Sequence, residues 1–506
     1  VKTTPPLVNG GRLPLASIPL LPFPEFASSL IDLMRHSATL IAYFADQGEA
    51  GGTPELFAVL TTPEPGIFTV LRGRLEPGCA SLTPRVPQLH LFEREIAEQF
   101  GLAPTGHPWL KPVRFHQVWH GAADAWGRDP GRRPQPGVMD FFRVEGEEIH
   151  EVGVGPVHAG IIEPGHFRFQ CFGEKVLHLE ISLGYQHRGI ERLLAGGPWP
   201  QTPTQIEAMA GDTTSGYMTA YSLVLEGLTG TVAPPRAQAL RAIALELERL
   251  ANHVGGLGAL AGDIGFLPTA SYCGRLRGDY LNMTAAICGS RFGRGLVRPG
   301  GVLFDVEPTR QERLLQTLAN IVPNTRGALD LFFEEPSVLG RLEGVGRVMT
   351  DDAIDLGLVG IAARACGLDC DTRRVYPLAP YNKENVPEIT ETNGDVFCRA
   401  KIRQREIEHA IAFVRETLEN LPAGPIATPL NALPADTLAL GLVEGWRGRL
   451  AHVALTDGQG HFRRYKVIDP SFFNWSGLAM ALRDEQISDF PLCNKSFDLS
   501  YCGFDL

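Results

Sequence analysis

Along residues 236–258, RAQALRAIALELERLANHVGGLG, apolar side chains recur at 240, 243, 244, 247, 250, 251 and 254, which is the spacing of a helix with one buried face. The stretch KIRQREIEHAIAFVRETLENLPAGP repeats the pattern through Ile402, Ile407, Ile411, Val414 and Leu418, and Pro422 ends it. A shorter amphipathic helix, LHLFEREIAEQFGL over 89–102, stops at Gly101. PEFASSLIDLMRHSATLIAYFADQ has helical spacing in its first half. Other segments alternate with a period of two. ELFAVLTTPEPGIFTVLRGRL reads as two strands around a proline turn, and HFRFQCFGEKVLHLEIS (166–182) as a hairpin turning at Gly173-Glu174. GRLAHVALTDGQGHFRRYKVIDPS (448–471) reads as two strands around Asp457-Gly458.

These elements predict an α+β protein. Residues 1–24 read as a loose, proline-broken leader and 25–118 as a small α+β domain. Residues 119–150, rich in Gly, Pro and charge, read as a linker or an extended arm, and 151–506 as a mainly helical domain opened by a small antiparallel sheet. A length of 506 residues agrees with more than one core.

Composition narrows the function classes. With 44% hydrophobic and 20% charged residues the chain has the make-up of a folded protein. A formal charge of −11 without a basic stripe excludes a nucleic-acid binder. No apolar run approaches the ~18–20 residues of a membrane span, and the leader has no signal-peptide layout, so membrane association is expected only through partners. The nine cysteines form no C-x-x-C, and Cys366 and Cys370 read as half-buried thiols. There is no phosphate-binding loop, no G-x-S-x-G and no H-E-x-x-H. No G-x-G-x-x-G stands between a strand and a helix, so direct nicotinamide binding has no support.

Two stretches carry a resemblance. FEREIAEQFGLAPTGHPWL (92–110), with Glu93, Arg94, Glu95, Phe100, Gly101, Gly106, His107 and Pro108, resembles the signature of the 30 kDa-type small hydrophilic subunit of respiratory complex I. GVGPVHAGIIEPGHFRFQCFGEKVLHLEISLGYQHRGIERLL (153–194), with Gly155, Pro156, His158, Gly184, Tyr185, His187, Arg188, Gly189 and Glu191, is similar to the opening of the 49 kDa-type large subunit shared by complex I and membrane-bound nickel–iron hydrogenases. LGLVGIAARACGLDCDTRR, ETNGDVFCRAKIRQREIEHAI, VEGWRGRL and VIDPSFFNW follow in family order. The single-chain fusion resembles the large subunit of formate-hydrogenlyase-type and related energy-converting complexes.

The hydrogenase branch of this family holds its metals with two C-x-x-C pairs of soft thiolates. Alignment on Ala220-Tyr221 puts Ala210 and Thr213 at the first pair of positions and Tyr217 at the histidine that follows. Alignment on Ser496 and Asp498 puts Ser500 and Gly503 at the second, with Cys502 one residue out of step. The resemblance therefore implies a fused complex-I-like, hydrogenase-related oxidoreductase subunit from which the nickel–iron centre has been lost.

The cofactor expected nearby is a 4Fe–4S cluster held by a partner, the chain binding none alone. His166, the nearest counterpart of the family's quinone-binding histidine, and Asp263, the counterpart of its buried carboxylate, are the expected proton donors to a quinone-like acceptor. Gly211 falls at the family's tyrosine position. Arg188 and His187 are expected to face the partner's cluster, where a cation raises the potential.

The implied partners are a small 4Fe–4S subunit, a ferredoxin-like iron–sulfur subunit, and antiporter-like and quinone-channel-like membrane proteins. The implied position is peripheral, on the cytoplasmic face of the inner membrane. Two alternatives stay open: a hydrogenase with a rearranged metal site using Cys493 or Cys502, and a non-catalytic structural coupler.

Overall fold

The computed structural model describes residues 5–48, 52–62, 64–119, 123–129, 131–159, 162–383 and 386–506. In the N-terminal region β4 (Leu40–Asp46), β5 (Glu55–Thr61) and β6 (Ile67–Arg74) form an antiparallel sheet whose far edge pairs with β1 (Leu7–Val8) and, in parallel, with β3 (Leu20–Leu21). β4 is buried at every residue instead of alternating, because both faces of the sheet are covered. On one face, Phe26 of α1 (Phe23–Arg35) lies so close to Gly73 that a Cβ there would sit 2.6 Å from its ring. Phe92 of α2 (His90–Phe100) meets Tyr43 edge-on, with ring centroids 6.5 Å apart.

Residues 5–24 of the leader are not loose. β2 (Arg12–Pro14) leaves the N-terminal sheet and pairs with β12 (Thr437–Glu444), the edge strand of a second antiparallel sheet completed by β13 (Arg449–Thr456) and β14 (Phe462–Ile468). Asn9 exchanges two hydrogen bonds with the Leu442 main chain, donating at 3.0 Å and accepting at 2.7 Å. Short strands of two or three residues suit a segment that prolines interrupt, and the pairing satisfies edge groups that would otherwise need water.

The glycine- and proline-rich arm carries no helix or strand over 123–129 and 131–148, and it packs on its own chain. Trp126 donates from Nε1 to the Leu110 carbonyl at 3.2 Å. The Phe142 N–H donates to Glu180 at 2.7 Å, and the same carboxylate takes Lys111 at 2.6 Å. Gly101, which ends α2 at φ +68°, is also where the arm passes: a Cβ there would collide with the Ala123 carbonyl.

The larger region opens with β7 (Ile149–Val154), β8 (His166–Phe172) and β9 (Lys175–Ser182), with Gly173 at φ +56° in the hairpin turn. Short helices α3 (Ile190–Leu194) and α4 (Thr202–Glu207) lead to α5 (Thr214–Thr229). The bundle that follows is built from α6 (Pro235–Asp263), α7 (Leu267–Cys288), α8 (Pro308–Glu334) and, from later in the chain, the helix Val396–Glu419, whose N-terminus Asp395 caps by accepting the Cys398 N–H at 2.8 Å. After β14 come the helices Pro470–Ala481, Phe490–Phe497 and Tyr501–Asp505. No helix among the described residues is long and apolar enough to cross a membrane.

The acids of α2 join the two regions. Glu93 is enclosed by donors from Ser81, the Leu82 main chain and Thr83. Glu95, 1% exposed, accepts two hydrogen bonds from Lys466 of β14 at 2.7 and 2.8 Å and one from Arg114. Lys466 also reaches Glu191 of α3 at 2.9 Å, and Arg464 joins Glu191 to Gln99. The positive end of a helix favours acids, and here Glu93 and Glu95 also have specific partners. Despite burial, Lys466 and Arg114 hold the Glu95 carboxyl below the usual range.

Candidate functional site

Two segments distant in sequence converge at the position where the family's metal ligands are expected: residues 208–217, leading into α5, and residues 496–506. Arg188 spans them. Its guanidinium donates to the carbonyls of Ala208 at 2.6 Å and Met209 at 2.7 Å, with Cys502 O at 3.5 Å. The main-chain N–H groups of Arg188 and Gly189 donate to the Leu506 main-chain oxygen. Asp505 accepts the N–H groups of Gly184 and Gln186 at 2.7 and 2.8 Å, and burial pushes its carboxyl up to about 7.

The interior of this junction is filled by protein. Tyr217 donates its hydroxyl to Asp469 at 2.5 Å, and both side chains are buried. Asp469 precedes the helix Pro470–Ala481 and caps it by accepting the Ser471 N–H at 2.7 Å, while burial raises its carboxyl. That carboxylate lies against Gly503: a Cβ built on Gly503 would sit 2.7 Å from both Cγ and Oδ2 of Asp469 and 2.9 Å from Ser500 Oγ.

Ser500 is occupied as a cap, accepting the Gly503 N–H at 2.9 Å. Ala210 is a buried methyl, and the Thr213 hydroxyl accepts from Trp446 Nε1 at 3.1 Å. Arg447 grips Asp212 with two bonds of 2.9 and 2.7 Å, and this pairing holds the Asp212 carboxyl low.

A soft-metal centre does not fit this donor set. Alanine and glycine offer no ligand, and the Asp469 carboxylate occupies the space a cysteine at 503 would need. Burial pushes the thiols of Cys493 and Cys502 up to about 12. Cys502 sits beside Ser500, and Cys493 packs against Gly346. Among the described residues, no group of three or more His, Cys, Asp or Glu side chains could hold a metal ion.

The structure does not join the expected proton donors to each other. His166 starts β8, half-buried, with Nδ1 directed to the Gly155 carbonyl at 3.3 Å and Nε2 receiving Arg168 Nε at 3.2 Å. Desolvation lowers its pKa, and Arg168 adds to the effect. Asp263 ends α6 at the negative pole of the helix; its carboxyl is raised to about 6 by desolvation, with Lys495 pulling it down and Asp498 pushing it up.

No hydrogen bond or ion pair links His166 with Asp263 among the described residues. Asp263 lies within electrostatic reach of Lys495 and Asp498, beside the converging segments. Lys495 binds Asp498 at 2.8 Å, and Arg447 donates to the Asp498 carbonyl at 2.5 Å. Arg188 is exposed and makes no ion pair among the described residues, so a helix-start salt bridge does not explain it. His187 is held by Asp505 O at 2.7 Å, stacks on His116 at 4.9 Å, and burial lowers it to about 4.

Asp469 and Arg447 escaped the sequence reading as site residues, although VIDPSFFNW and VEGWRGRL were visible as motifs. Their roles depend on a fold that brings residues 212, 447, 469 and 503 together.

Glu248 faces the start of α5, accepting the Ser215 N–H at 2.7 Å and the Gly216 N–H at 3.2 Å. Desolvation nevertheless lifts its carboxyl to about 8, with Asp212 adding to the rise. A carboxyl raised in the folded state binds its proton more tightly there than in the unfolded chain. Its contribution is therefore complete below the unfolded value of about 4 and is lost as pH rises toward 8. Chemical denaturation from pH 5 to 8.5 should show a flatter decline of stability for Glu248→Gln than for the parent. An equal or steeper decline would contradict this.

The family description "Respiratory-chain NADH dehydrogenase, 30 Kd subunit" matches residues 26–129, and "Respiratory-chain NADH dehydrogenase, 49 Kd subunit" matches residues 263–437. The carbon monoxide-induced hydrogenase of Rhodospirillum rubrum is 32% identical over 69% of this chain and 97% of its own length. Formate hydrogenlyase subunit 5 of Escherichia coli is 30% identical over 85% of this chain and 77% of its own. NADH-quinone oxidoreductase subunit 4 of Thermus thermophilus is 31% identical over 69% of this chain and 92% of its own. The chain belongs to the family of large subunits common to complex I and the related hydrogenase complexes, with its 30 kDa-type and 49 kDa-type regions fused, and is a complex-I-like oxidoreductase subunit.

Proposed function

We propose that this chain forms one wall of an acceptor site beside a 4Fe–4S cluster held by a small partner subunit, in a membrane complex that works without a nickel–iron centre. The observation that carries the reading is the Asp469 carboxylate against Gly503, which takes up the volume a fourth thiolate would require. Arg188 supports the electron-transfer part: its exposed guanidinium is fixed by carbonyls of both converging segments, and no carboxylate among the described residues neutralises it. A quinone-like acceptor would draw its proton from Asp263, whose carboxyl is raised, with His166 held at the edge of the hairpin sheet. The membrane partners would be quinone-channel-like and antiporter-like subunits, with a ferredoxin-like iron–sulfur subunit among the other partners, on the cytoplasmic face.

Metal analysis of the complex purified from its native host should find iron without stoichiometric nickel. Electron transfer to a soluble quinone should fall at least tenfold in Arg188→Ala and in Asp263→Asn. Stoichiometric nickel would overturn the reading. Unchanged quinone reduction in both variants and in His166→Ala would instead leave a structural coupler.

A further inference from the structure

The arginines beside the converging segments fall into two groups. Arg275 pairs with Asp279 at 3.3 Å, and Arg298 with Glu207 at 2.6 Å. Arg277, Arg291 and Arg294 make no side-chain hydrogen bond or ion pair among the described residues, and Arg188 donates only to carbonyls. The unpaired side chains lie against glycines. A Cβ built on Gly255 of α6 would sit 2.5 Å from Arg277 Cδ. One on Gly278 of α7 would be 3.5 Å from Arg291 Nη2, and one on Gly211 would be 3.9 Å from Arg294 Nη2. Gly255 and Gly278 stand inside helices, where glycine is less stable than alanine, so the room left for these arginines comes against local propensity. Arg188 holds the carbonyls of Ala208 and Met209 while Arg294 reaches Gly211, so two unpaired cations bracket residues 208–211.

The acids of the neighbourhood are engaged elsewhere. Asp212 is gripped by Arg447, and Glu207 accepts the Gly295 N–H at 2.8 Å besides Arg298. Glu248 accepts the Ser215 and Gly216 N–H groups, and Glu163 those of Tyr501 at 3.2 Å and Cys502 at 3.4 Å. Apolar surface adjoins the arginines. Phe292, next to Arg291, is 42% exposed, and Leu303 and Phe304 are exposed as well. Arg291 and Phe292 share the lip of a recess at the start of α5 with Asp212, Ser215 and Glu248. On a chain of net charge −11, these uncompensated guanidinium groups beside bare rings make a local cationic and partly apolar surface. The guanidinium fork matches carboxylates and other oxyanions in shape as well as charge.

We propose that the acceptor bound here is a small anion with a flat apolar body, its negative charge held between Arg188 and Arg294 and its ring against Phe292. This rests on the reading of the converging segments as a wall of an acceptor site, and it adds the charge of the molecule that the wall receives. Gly211, at the family's tyrosine position, offers no hydroxyl to a neutral carbonyl. What stands beside it is a guanidinium, which recognises charge. Arg277 and Arg291 strengthen the same field without spending it on a carboxylate of the chain. Because the surface is open to solvent, the attraction weakens as salt rises.

The test titrates the complex purified from its native host with naphthalene-2-sulfonate and with naphthalene-2-sulfonamide, its neutral isostere, by calorimetry. At about 50 mM salt the sulfonate should bind one site at least tenfold more tightly, and the advantage should shrink severalfold at about 0.5 M. The sulfonate should also compete with reduction of a soluble naphthoquinone. Arg294→Gln should bring the affinity ratio to within about twofold of one, whereas Arg275→Gln, whose partner is Asp279, should leave it unchanged. Equal affinity for the two probes would overturn the proposal, as would a ratio unmoved by Arg294→Gln. Loss of a subunit from the Arg294→Gln complex would overturn it too, marking this surface as a partner contact. Sulfonate binding that leaves quinone reduction untouched would refute the anionic acceptor while the acceptor site stands. Charge-selective binding to a complex that reduces no quinone would support the anionic acceptor and refute a quinone-like one.

Discussion

Gly503→Cys should lower the stability of the chain by about 1–3 kcal/mol and bring no nickel with it, because the new Cβ enters space already held by the Asp469 carboxylate. The contact distance of 2.7 Å is too short for a carbon pair, and the backbone at 503 belongs to a short helix that Ser500 already caps. Relaxation would have to move Asp469, which also holds the Tyr217 hydroxyl and the start of the helix Pro470–Ala481. The collision predicts strong non-additivity. Asp469→Ala is costly by itself, through the lost cap and the unpaired Tyr217, but in the Gly503→Cys background it also relieves the overlap. A double-mutant cycle by urea denaturation should show the pair less destabilised than the two single changes added. An additive cycle would mean that the two residues do not compete for one space.

Glu95→Gln should cost about 3–5 kcal/mol, the usual penalty for breaking a buried ionic group and stranding its partners. Glu95 neutralises Lys466 and Arg114 together, and its removal leaves Glu191 facing Lys466, Arg464 and Arg114. The double variant Glu95→Met, Lys466→Met should recover most of the loss, because both charges then leave the interior together. Denaturation midpoints and slopes for the three variants would decide, and a single variant within about 1 kcal/mol of the parent would refute the argument. A separate loss of N-terminal signals in the Glu95→Gln melt would locate the damage at the joint between the regions.

Local patterning carried the secondary structure well, because each element needs only its own neighbours to be recognised. The hairpin at Gly173 lies where alternating residues and a turn glycine place it, and α2 stops at Gly101 in the left-handed conformation its position requires. That none of residues 210, 213, 500 and 503 is a cysteine was equally readable, since it is a matter of residue identity.

What takes their place was not readable. That Asp469 stands against Gly503, or that Lys466 answers the acids of α2, depends on residues that only the fold brings together. The same limit explains His166 and Asp263. Their residue types suit a proton-donating pair, but the backbone places one on a hairpin edge and the other at a helix end beside Lys495. The leader was misread for a further reason: segments of two or three residues carry no periodicity to detect.

The pairing of β2 with β12 also sets a timetable. Asn9 and Leu442 are 433 residues apart, so at ordinary translation rates of about 5–20 residues per second the N-terminal strand waits roughly 20–90 s for its partner to be made. During that interval Leu13, buried in the finished protein, lacks the strand it pairs with. The nascent chain therefore carries β2 unpaired while the residues between it and β12 are made, and closure of this pair comes late in folding.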